Sequence, residues 1–206
     1  MSSNDQPNAH SSPPFSDVTG VILAGGRSRR MGRDKASLPV AGQPLIERTI
    51  RLFQSLFRHT LIAGDRPDLA GPELPAYPDE YPGSALGGLY TGLLRAPTPH
   101  IFVAACDMPL IEKELIQRLL SYRHKADVVL PQTPAGLEPL LACYHRSCLP
   151  MMQQQLEQQQ FRILDLFPLL NTRILTDADL PPGWQAALTN INTPEEYGNL
   201  LKEKLC

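Results

Sequence analysis

The chain has 206 residues, enough for one medium-sized domain whose core needs neither disulfides nor a structural metal. Its net charge of −2 argues against a globally basic protein, so we expect no nucleic-acid partner. No apolar run reaches the ~20 residues of a membrane span, and the four cysteines lack metal-ligand spacing, so we expect a cytoplasmic protein with reduced thiols and no membrane partner.

Residues 1–17 are rich in Ser, Pro and Asn and predict a disordered tail, which leaves 18–206 as the ordered domain. Short apolar runs then alternate with amphipathic segments, without an internal repeat. The predicted strands are 18–24, 60–64, 101–106, 126–131 and 139–144. The predicted helices are 44–57, 86–95, 111–123, 147–159 and 194–204. This alternation predicts an α/β fold with a mainly parallel sheet covered on both faces.

A glycine-rich, strongly cationic loop follows the first predicted strand, in the sequence G-V-I-L-A-G-G-R-S-R-R-M-G-R-D-K (20–35). Gly25 and Gly26 allow a sharp turn that exposes amide N–H groups to a phosphate. Five cationic side chains then fall within nine positions: Arg27, Arg29, Arg30, Arg33 and Lys35. Because like charges repel each other, this cluster predicts a bound polyanion. The alternative is a solvated basic loop.

The loop matches neither of the two common phosphate-binding motifs. A Walker A loop ends in Gly-Lys-Ser/Thr, whereas Gly32 is followed here by Arg33 and Asp34. The dinucleotide fingerprint G-x-G-x-x-G is broken because Gly26 directly follows Gly25. We therefore expect a phosphate site of a different class.

Asp107, in C-D-M-P (106–109), comes directly after the apolar run I-F-V-A-A. A carboxylate at the end of a buried strand is costly unless it is paired, hydrogen-bonded or bound to metal. Neighbouring parallel strands end at the same edge of a sheet, so Asp107 could hold magnesium over phosphates bound at the glycine turn. The alternative is that Asp107 caps a helix whose first turn begins near Leu110.

These motifs resemble the signature L-A-G-G-x-S-x-R-M-G-x-D-K of the molybdenum cofactor guanylyltransferases, the MobA family. Further matches follow in order: P-D-E-Y-P-G (78–83), L-G-G-L (86–89), C-D-M-P (106–109), E-P-L-L-A-C-Y (138–144) and N-I-N-T-P-E-E (190–196). The resemblance implies a Rossmann-like three-layer α/β/α nucleotidyltransferase fold. It also implies magnesium-dependent transfer of GMP from GTP to molybdenum-molybdopterin, giving the guanine dinucleotide cofactor and pyrophosphate.

The resemblance also implies two substrate sites. The implied nucleotide contacts are Leu23, Ala24, Gly25, Gly26, Lys35, Asp79 and Asp107. The implied pterin contacts are Gly83, Gly88, Arg162, Asn190 and Asn192. Arg162 could equally be a surface arginine, and the two asparagines could instead cap the helix predicted at 194–204. Relatives can carry an asparagine at the end of the second strand, where this chain reads A-G-D (63–65), so a nucleotide contact there is left open.

Nucleotidyl transfer brings two polyanions together, so its catalysis consists largely of positioning and charge neutralisation. Arg30 and Lys35 are expected to steady the triphosphate while Asp107 binds magnesium. Cys106 is expected to pack as a small core residue. The expected partners, besides GTP and molybdopterin, are molybdenum-insertion proteins and molybdoenzyme chaperones.

Two kinds of alternative function are considered. One is a cytidylyltransferase acting on the same pterin, or a sugar-phosphate nucleotidyltransferase. The cytidine enzymes usually begin L-A-A-G, and Gly25 leaves space here for a purine base. The other is a non-catalytic nucleotide sensor or a docking protein for molybdoenzymes, against which the presence of both Lys35 and Asp107 argues.

Overall fold

The computed structural model describes residues 13–25, 39–40, 43–108 and 110–189, and the structural statements below concern those residues. Two short strands, β2 and β3 (Pro39–Val40 and Gln43–Pro44), form a separate hairpin. The other eight strands form one sheet. They are β1 (Phe15–Leu23), β4 (Phe57–Ala63), β5 (Ala76–Tyr77), β6 (His100–Ala105), β7 (Val128–Thr133), β8 (Gly136–Leu137), β9 (Leu141–His145) and β10 (Thr172–Leu175).

The sheet is mixed, with mostly parallel strands, as predicted. Its order is β10-β7-β9-β6-β1-β4-β5, and β8 pairs with the end of β7. β1 lies in the middle and runs parallel to both β4 and β6. β9 differs from the prediction because it runs antiparallel to β6 and β7. The connection from β7 to β9 is too short for the crossover that a parallel pair requires.

Four α-helices of the described chain cover the sheet: α1 (Leu45–Leu56), α2 (Ala85–Arg95), α3 (Lys113–Leu120) and α4 (Leu149–Glu157). The apolar side chains of α1 and α3 pack into one core, and those of α2 and α4 pack into a second. A core on each face confirms the predicted three-layer α/β/α architecture. Short 3-10 helices lie at 123–125, 146–148, 163–169 and 184–188. No helix within the described ranges is both long and apolar enough to cross a membrane.

The first strand begins earlier than the sequence predicted. β1 starts at Phe15, so residues 15–17, which were assigned to the tail, pair with the sheet. Asp17 also accepts a hydrogen bond of 2.9 Å from Arg123 Nε. Residues 1–12 of the predicted tail lie outside the described residues, as does the helix predicted at 194–204.

Phe57 was predicted to end the first helix, but it begins β4 instead. Phe53, on the last turn of α1, and Phe57 meet edge to face with their ring centroids 5.3 Å apart. Phe57 also stacks on Phe102 of β6, at 6.2 Å. Phe53 and Phe57 are four positions apart, which is the spacing of a pair on one face of a helix. In the structure Phe57 is instead buried against the sheet as the first residue of a strand.

A cluster of histidines lies at the end of the sheet where β6 begins. The ring of His100 is 6% exposed, and the rings of His145 and His124 lie 4.8 and 5.2 Å from it. Its Nε2 is 3.2 Å from the carbonyl oxygen of Arg123, and its Nδ1 has no hydrogen-bond partner among the described residues. Burial and the two neighbouring imidazoles lower the pKa of His100 below its ordinary value of 6.5.

We predict that this cluster makes folding less stable in mild acid. The unfolded chain binds a proton on His100 more readily than the folded chain does. The free energy of unfolding is therefore retained above pH 6.5 and falls as the pH drops below that value. Urea unfolding at pH 7.5 and 5.5 tests this, with His100→Gln as the comparison. The wild type should lose more stability than the variant over this interval. Equal losses would show that His100 does not contribute.

Candidate active site

A cleft of about 230 Å³ lies at the edge of the sheet where β1, β4 and β6 end. Five of the residues predicted for the substrate sites line it: Leu23, Gly25, Asp79, Gly88 and Asp107. They come from five separate elements or connections, spread over more than 80 positions of the chain. The cleft therefore lies at the carboxyl ends of parallel strands, where α/β sheets bind their ligands.

The end of β1 is fixed to both neighbouring strands. The N–H of Ala24 donates to the carbonyl of Ala63 at 2.9 Å, and the N–H of Cys106 donates to the carbonyl of Leu23 at 3.1 Å. The chain then turns at Gly25, where a Cβ atom would lie only 2.7 Å from Oδ2 of Asp79. A side chain at this position would therefore displace the Asp79 carboxyl group.

Gly64 packs tightly against the same turn. Its φ of +138° lies in a region that side chains rarely allow, and a Cβ atom there would be 2.5 Å from the backbone nitrogen of Gly25. Its own N–H donates to the carbonyl of Tyr77 at 2.8 Å. Gly64 belongs to the A-G-D segment (63–65) at the end of β4. In this chain residue 64 supports the turn through its backbone and contributes no side chain.

Asp79 is the most unusual titratable group of the cleft. Its Oδ1 atom is buried and has no hydrogen-bond partner among the described residues. Burial raises the pKa of its carboxyl group. Two glycines flank the carboxyl group. Gly25 faces its Oδ2 atom, and a Cβ on Gly88 would lie 3.4 Å from its Oδ1 atom. A buried acceptor without a donor is costly, so this geometry favours a ligand that supplies N–H groups or a cation.

Asp107 follows β6 directly and lies, half-buried, in the wall of the cleft. The alternative that it caps a helix beginning near Leu110 is wrong. The following helix, α3, begins at Lys113, and Glu112 occupies its N-cap position. Asp107 is thus left beside the cleft without a role in that helix.

The donor atoms of the cleft suit magnesium. Asp107 contributes carboxylate oxygens to the wall of the cleft, and such oxygens are the ligands that Mg²⁺ prefers. Another potential metal-binding group, Asp17, His100 and His124, has ligand atoms within 4.8 Å of one another. It lies at the opposite end of β6 from the cleft. The five-residue step from His100 to Ala105 along the strand corresponds to about 17 Å. Its Asp17 carboxylate already accepts two hydrogen bonds from Arg123.

Two of the predicted pterin contacts lie outside the described lining of the cleft. Gly83 adopts a φ of +100° in the turn before α2. Arg162 precedes the 3-10 helix at 163–169, and its exposed side chain lies 3.9 Å from Asp165. The other predicted site residues fall outside the described ranges: Gly26, Arg30, Lys35, Asn190 and Asn192.

Further residues of the cleft were not predicted. Ser84 lines it and also caps α2, because its Oγ accepts the N–H of Gly87 at 3.0 Å. A serine immediately before a helical segment is a recognisable N-cap, so the sequence did contain a signal for it. Cys106 packs against the core, as expected, but it is only partly buried and also lines the cleft.

A larger cavity of about 670 Å³ lies beside the start of β4, lined by residues that include Arg58, Thr60 and Arg95. None of the predicted site residues that lie in the described ranges lines it. It also lies away from the carboxyl ends of β1 and β6, so we assign the chemistry to the smaller cleft.

A mostly parallel sheet between two helical layers, with a glycine turn after β1 and an aspartate after β6, defines a nucleotidyltransferase of Rossmann-like fold. The model of the MobA-like NTP transferase domain matches residues 20–167 of this chain. The chain belongs to that family, and the relatives it matches include proteins named molybdenum cofactor guanylyltransferase.

Two curated relatives and one solved structure illustrate the similarity. A probable molybdenum cofactor guanylyltransferase of Natranaerobius thermophilus is 36% identical over 190 residues, covering 87% of this chain and 93% of the relative. The molybdenum cofactor guanylyltransferase of Desulfosudis oleivorans is 34% identical over 191 residues, covering 87% and 92%. The crystal structure of molybdopterin-guanine dinucleotide biosynthesis protein A from Archaeoglobus fulgidus superposes with a TM-score of 0.76 at 23% identity, covering 90% and 99%.

Proposed function

We propose that this chain transfers GMP from GTP to molybdenum-bound molybdopterin, forming the guanine dinucleotide cofactor and pyrophosphate. The observation that carries the proposal is the cleft itself, which brings Leu23, Gly25, Asp79, Gly88 and Asp107 to one edge of the sheet. Curated relatives over 30% identical carry the name of this activity. The finer assignments below are part of the same proposal.

Asp79 is the residue we assign to the guanine base. Guanine presents N–H donors on two adjacent positions of its pairing edge, and a carboxylate can accept from both. The Asp79 oxygens lie against Gly25 and Gly88, and Oδ1 has no partner among the described residues. Cytosine has no equivalent pair of adjacent donors, so Asp79 favours a guanine nucleotide over CTP.

Asp107 is the residue we assign to magnesium. When bound, the metal would neutralise phosphate charge and help to align the two substrates. The backbone N–H groups of the turn at Gly25 and Gly26 would bind phosphate oxygens, and Arg30 and Lys35 would offset the remaining negative charge. No side chain of the protein needs to act as a nucleophile, because the terminal phosphate of the pterin attacks the α-phosphorus.

The pterin would occupy the side of the cleft next to Gly83 and Gly88, with Arg162, Asn190 and Asn192 as further contacts. The molybdenum-insertion proteins and molybdoenzyme chaperones that supply and receive this cofactor would be the protein partners. We place the reaction in the cytoplasm, where thiols such as those of Cys143 and Cys148 remain reduced.

The proposal is tested by incubating the purified protein with magnesium, molybdenum-loaded molybdopterin and one nucleoside triphosphate at a time. Mass spectrometry of the products should find the guanine dinucleotide and pyrophosphate with GTP, and little product with CTP, ATP or UTP. A cytosine dinucleotide would identify a cytidylyltransferase. Tight GTP binding without any dinucleotide would identify a nucleotide sensor.

We predict that Asn190→Ala combined with Asn192→Ala separates the two substrates. The two asparagines are two positions apart, so in an extended segment their amides would face the same side and could bind the pterin ring together. The double variant should bind GTP almost normally and molybdopterin at least about tenfold more weakly. If it binds the pterin normally and only melts earlier, the asparagines are helix caps.

A further inference from the structure

Asp79 lies in a connection that has no regular secondary structure of its own. Residues 78–84 link β5 to α2. In such a segment, a side chain is held in place only by the contacts that fix the surrounding backbone. The Asp79 carboxyl group fits closely between two glycines, with 2.7 Å from Oδ2 to the Cβ position of Gly25. A small movement of this backbone would therefore change how the carboxyl group meets a ligand.

Thr91 anchors this backbone from within α2. Its side chain is fully buried, and its hydroxyl donates to the carbonyl of Gly87 at 2.9 Å. The same oxygen accepts the backbone N–H of Glu80, also at 2.9 Å. Glu80 directly follows Asp79, so one hydroxyl joins the residue beside the carboxyl group to the first turn of the helix.

The neighbouring contacts make this anchor specific. The carbonyl oxygen of Tyr81 lies only 1.8 Å from where a Cβ of Gly87 would be, so the connection passes directly over the helix. An ion pair between Arg95 and Glu80 also joins α2 to the connection. Both of those side chains are well exposed to solvent, and such pairs contribute little. The buried hydroxyl of Thr91 is the stronger of the two links.

We propose that Thr91 is a positioning residue, which holds Asp79 where it can bind the nucleotide although Thr91 itself does not line the cleft. The inference rests on the proposed function, because it assumes that Asp79 contacts the nucleotide. Removing the hydroxyl leaves the Glu80 N–H, which is part-buried, without its acceptor, and the connection then moves to satisfy it. GTP affinity falls as a consequence, beyond any loss of stability.

Thr98 provides a matched control. It too is a buried threonine with two hydrogen bonds, since its hydroxyl donates to the carbonyl of His100 at 2.7 Å and lies 2.6 Å from that of Thr19. These contacts lie near the start of β6, at the opposite end of that strand from the cleft. Thr98→Val should lower the melting temperature as Thr91→Val does, but it should leave nucleotide binding unchanged.

The experiment measures the Kd of GTP by calorimetry, with magnesium present, together with the melting temperature of each full-length variant. Thr91→Val should weaken GTP about tenfold, because the Glu80 N–H loses its acceptor and the connection that carries Asp79 shifts. Thr91→Ser, which keeps the hydroxyl and loses only a methyl group, should bind GTP within about twofold of the wild type. Thr98→Val should also stay within about twofold while melting several degrees earlier. In an Asp79→Asn background, Thr91→Val should have little further effect on the Kd.

Wild-type GTP affinity in Thr91→Val would overturn the inference and leave Thr91 as a structural residue. Equal weakening in Thr91→Ser and Thr91→Val would also overturn it, since the hydroxyl would then not be responsible. If Asp79→Asn alone binds GTP normally, the proposed nucleotide contact itself fails. A loss in Asp79→Asn without a loss in Thr91→Val contradicts only the positioning role.

Discussion

Asp107→Asn is expected to preserve the fold and to lower turnover on the order of 10³-fold or more. The side chain keeps its size, and Glu112 rather than Asp107 occupies the N-cap of α3, so the helix should not be affected. The variant removes an anionic ligand from a site where a divalent ion must neutralise phosphate charge. Pyrophosphate release at saturating GTP and pterin, measured over a magnesium titration, gives the turnover.

Asp68→Asn is the control for this experiment. Asp68 is an exposed carboxylate paired with Arg66 and does not line the cleft, so the turnover of this variant should stay close to that of the wild type. The melting temperatures of both variants should match the wild type within about 2 °C. Undiminished turnover of Asp107→Asn with a normal magnesium requirement would rule out Asp107 as the metal ligand.

Gly87→Ala is expected to destabilise the protein by about 3 kcal/mol, because the added methyl group has no space. Its Cβ would lie 1.8 Å from the carbonyl oxygen of Tyr81. Since that atom belongs to the backbone, the contact can be relieved only by moving α2 or the connection that carries Asp79. Urea unfolding measures the loss, and the Kd of GTP at low temperature reports the accompanying change in the cleft.

Gly71→Ala is the matched control, because a Cβ at Gly71 would meet no atom within 4 Å. The free energy of unfolding of Gly71→Ala should differ from that of the wild type by less than about 0.5 kcal/mol. If Gly87→Ala unfolds at the same urea concentration as Gly71→Ala, the packing of the connection over α2 is looser than described.

The central part of the fold could be predicted because its strands are continuous apolar runs. β1, β6 and α2 lie within a few residues of their predicted positions. The direction of β9 was missed because the prediction relied on apolar periodicity, which carries no information on strand direction, although the short gap between the strands predicted at 126–131 and 139–144 already excludes a parallel crossover between them. β5 and β8 were missed because two residues are too few to show any alternation.

The candidate site was partly predictable for a different reason. Gly25 and Asp107 follow apolar runs, and the rule that ligands bind at strand ends places them together. Asp79 was assigned only through the family resemblance, since nothing in its local sequence shows that its carboxyl group becomes buried without a partner. Thr91 was missed because its role depends on a backbone N–H eleven positions earlier, which only the tertiary structure brings within reach.

The central claim is that the nucleotide binds in the cleft at the carboxyl ends of β1 and β6. The most direct measurement is a crystal structure of the protein with magnesium and a GTP analogue that resists hydrolysis between the α- and β-phosphates. We predict that the guanine lies beside Gly25 and Asp79 and that the metal is bound by Asp107. A nucleotide in the larger cavity beside Arg58 and Thr60, or a metal distant from Asp107, would contradict the claim.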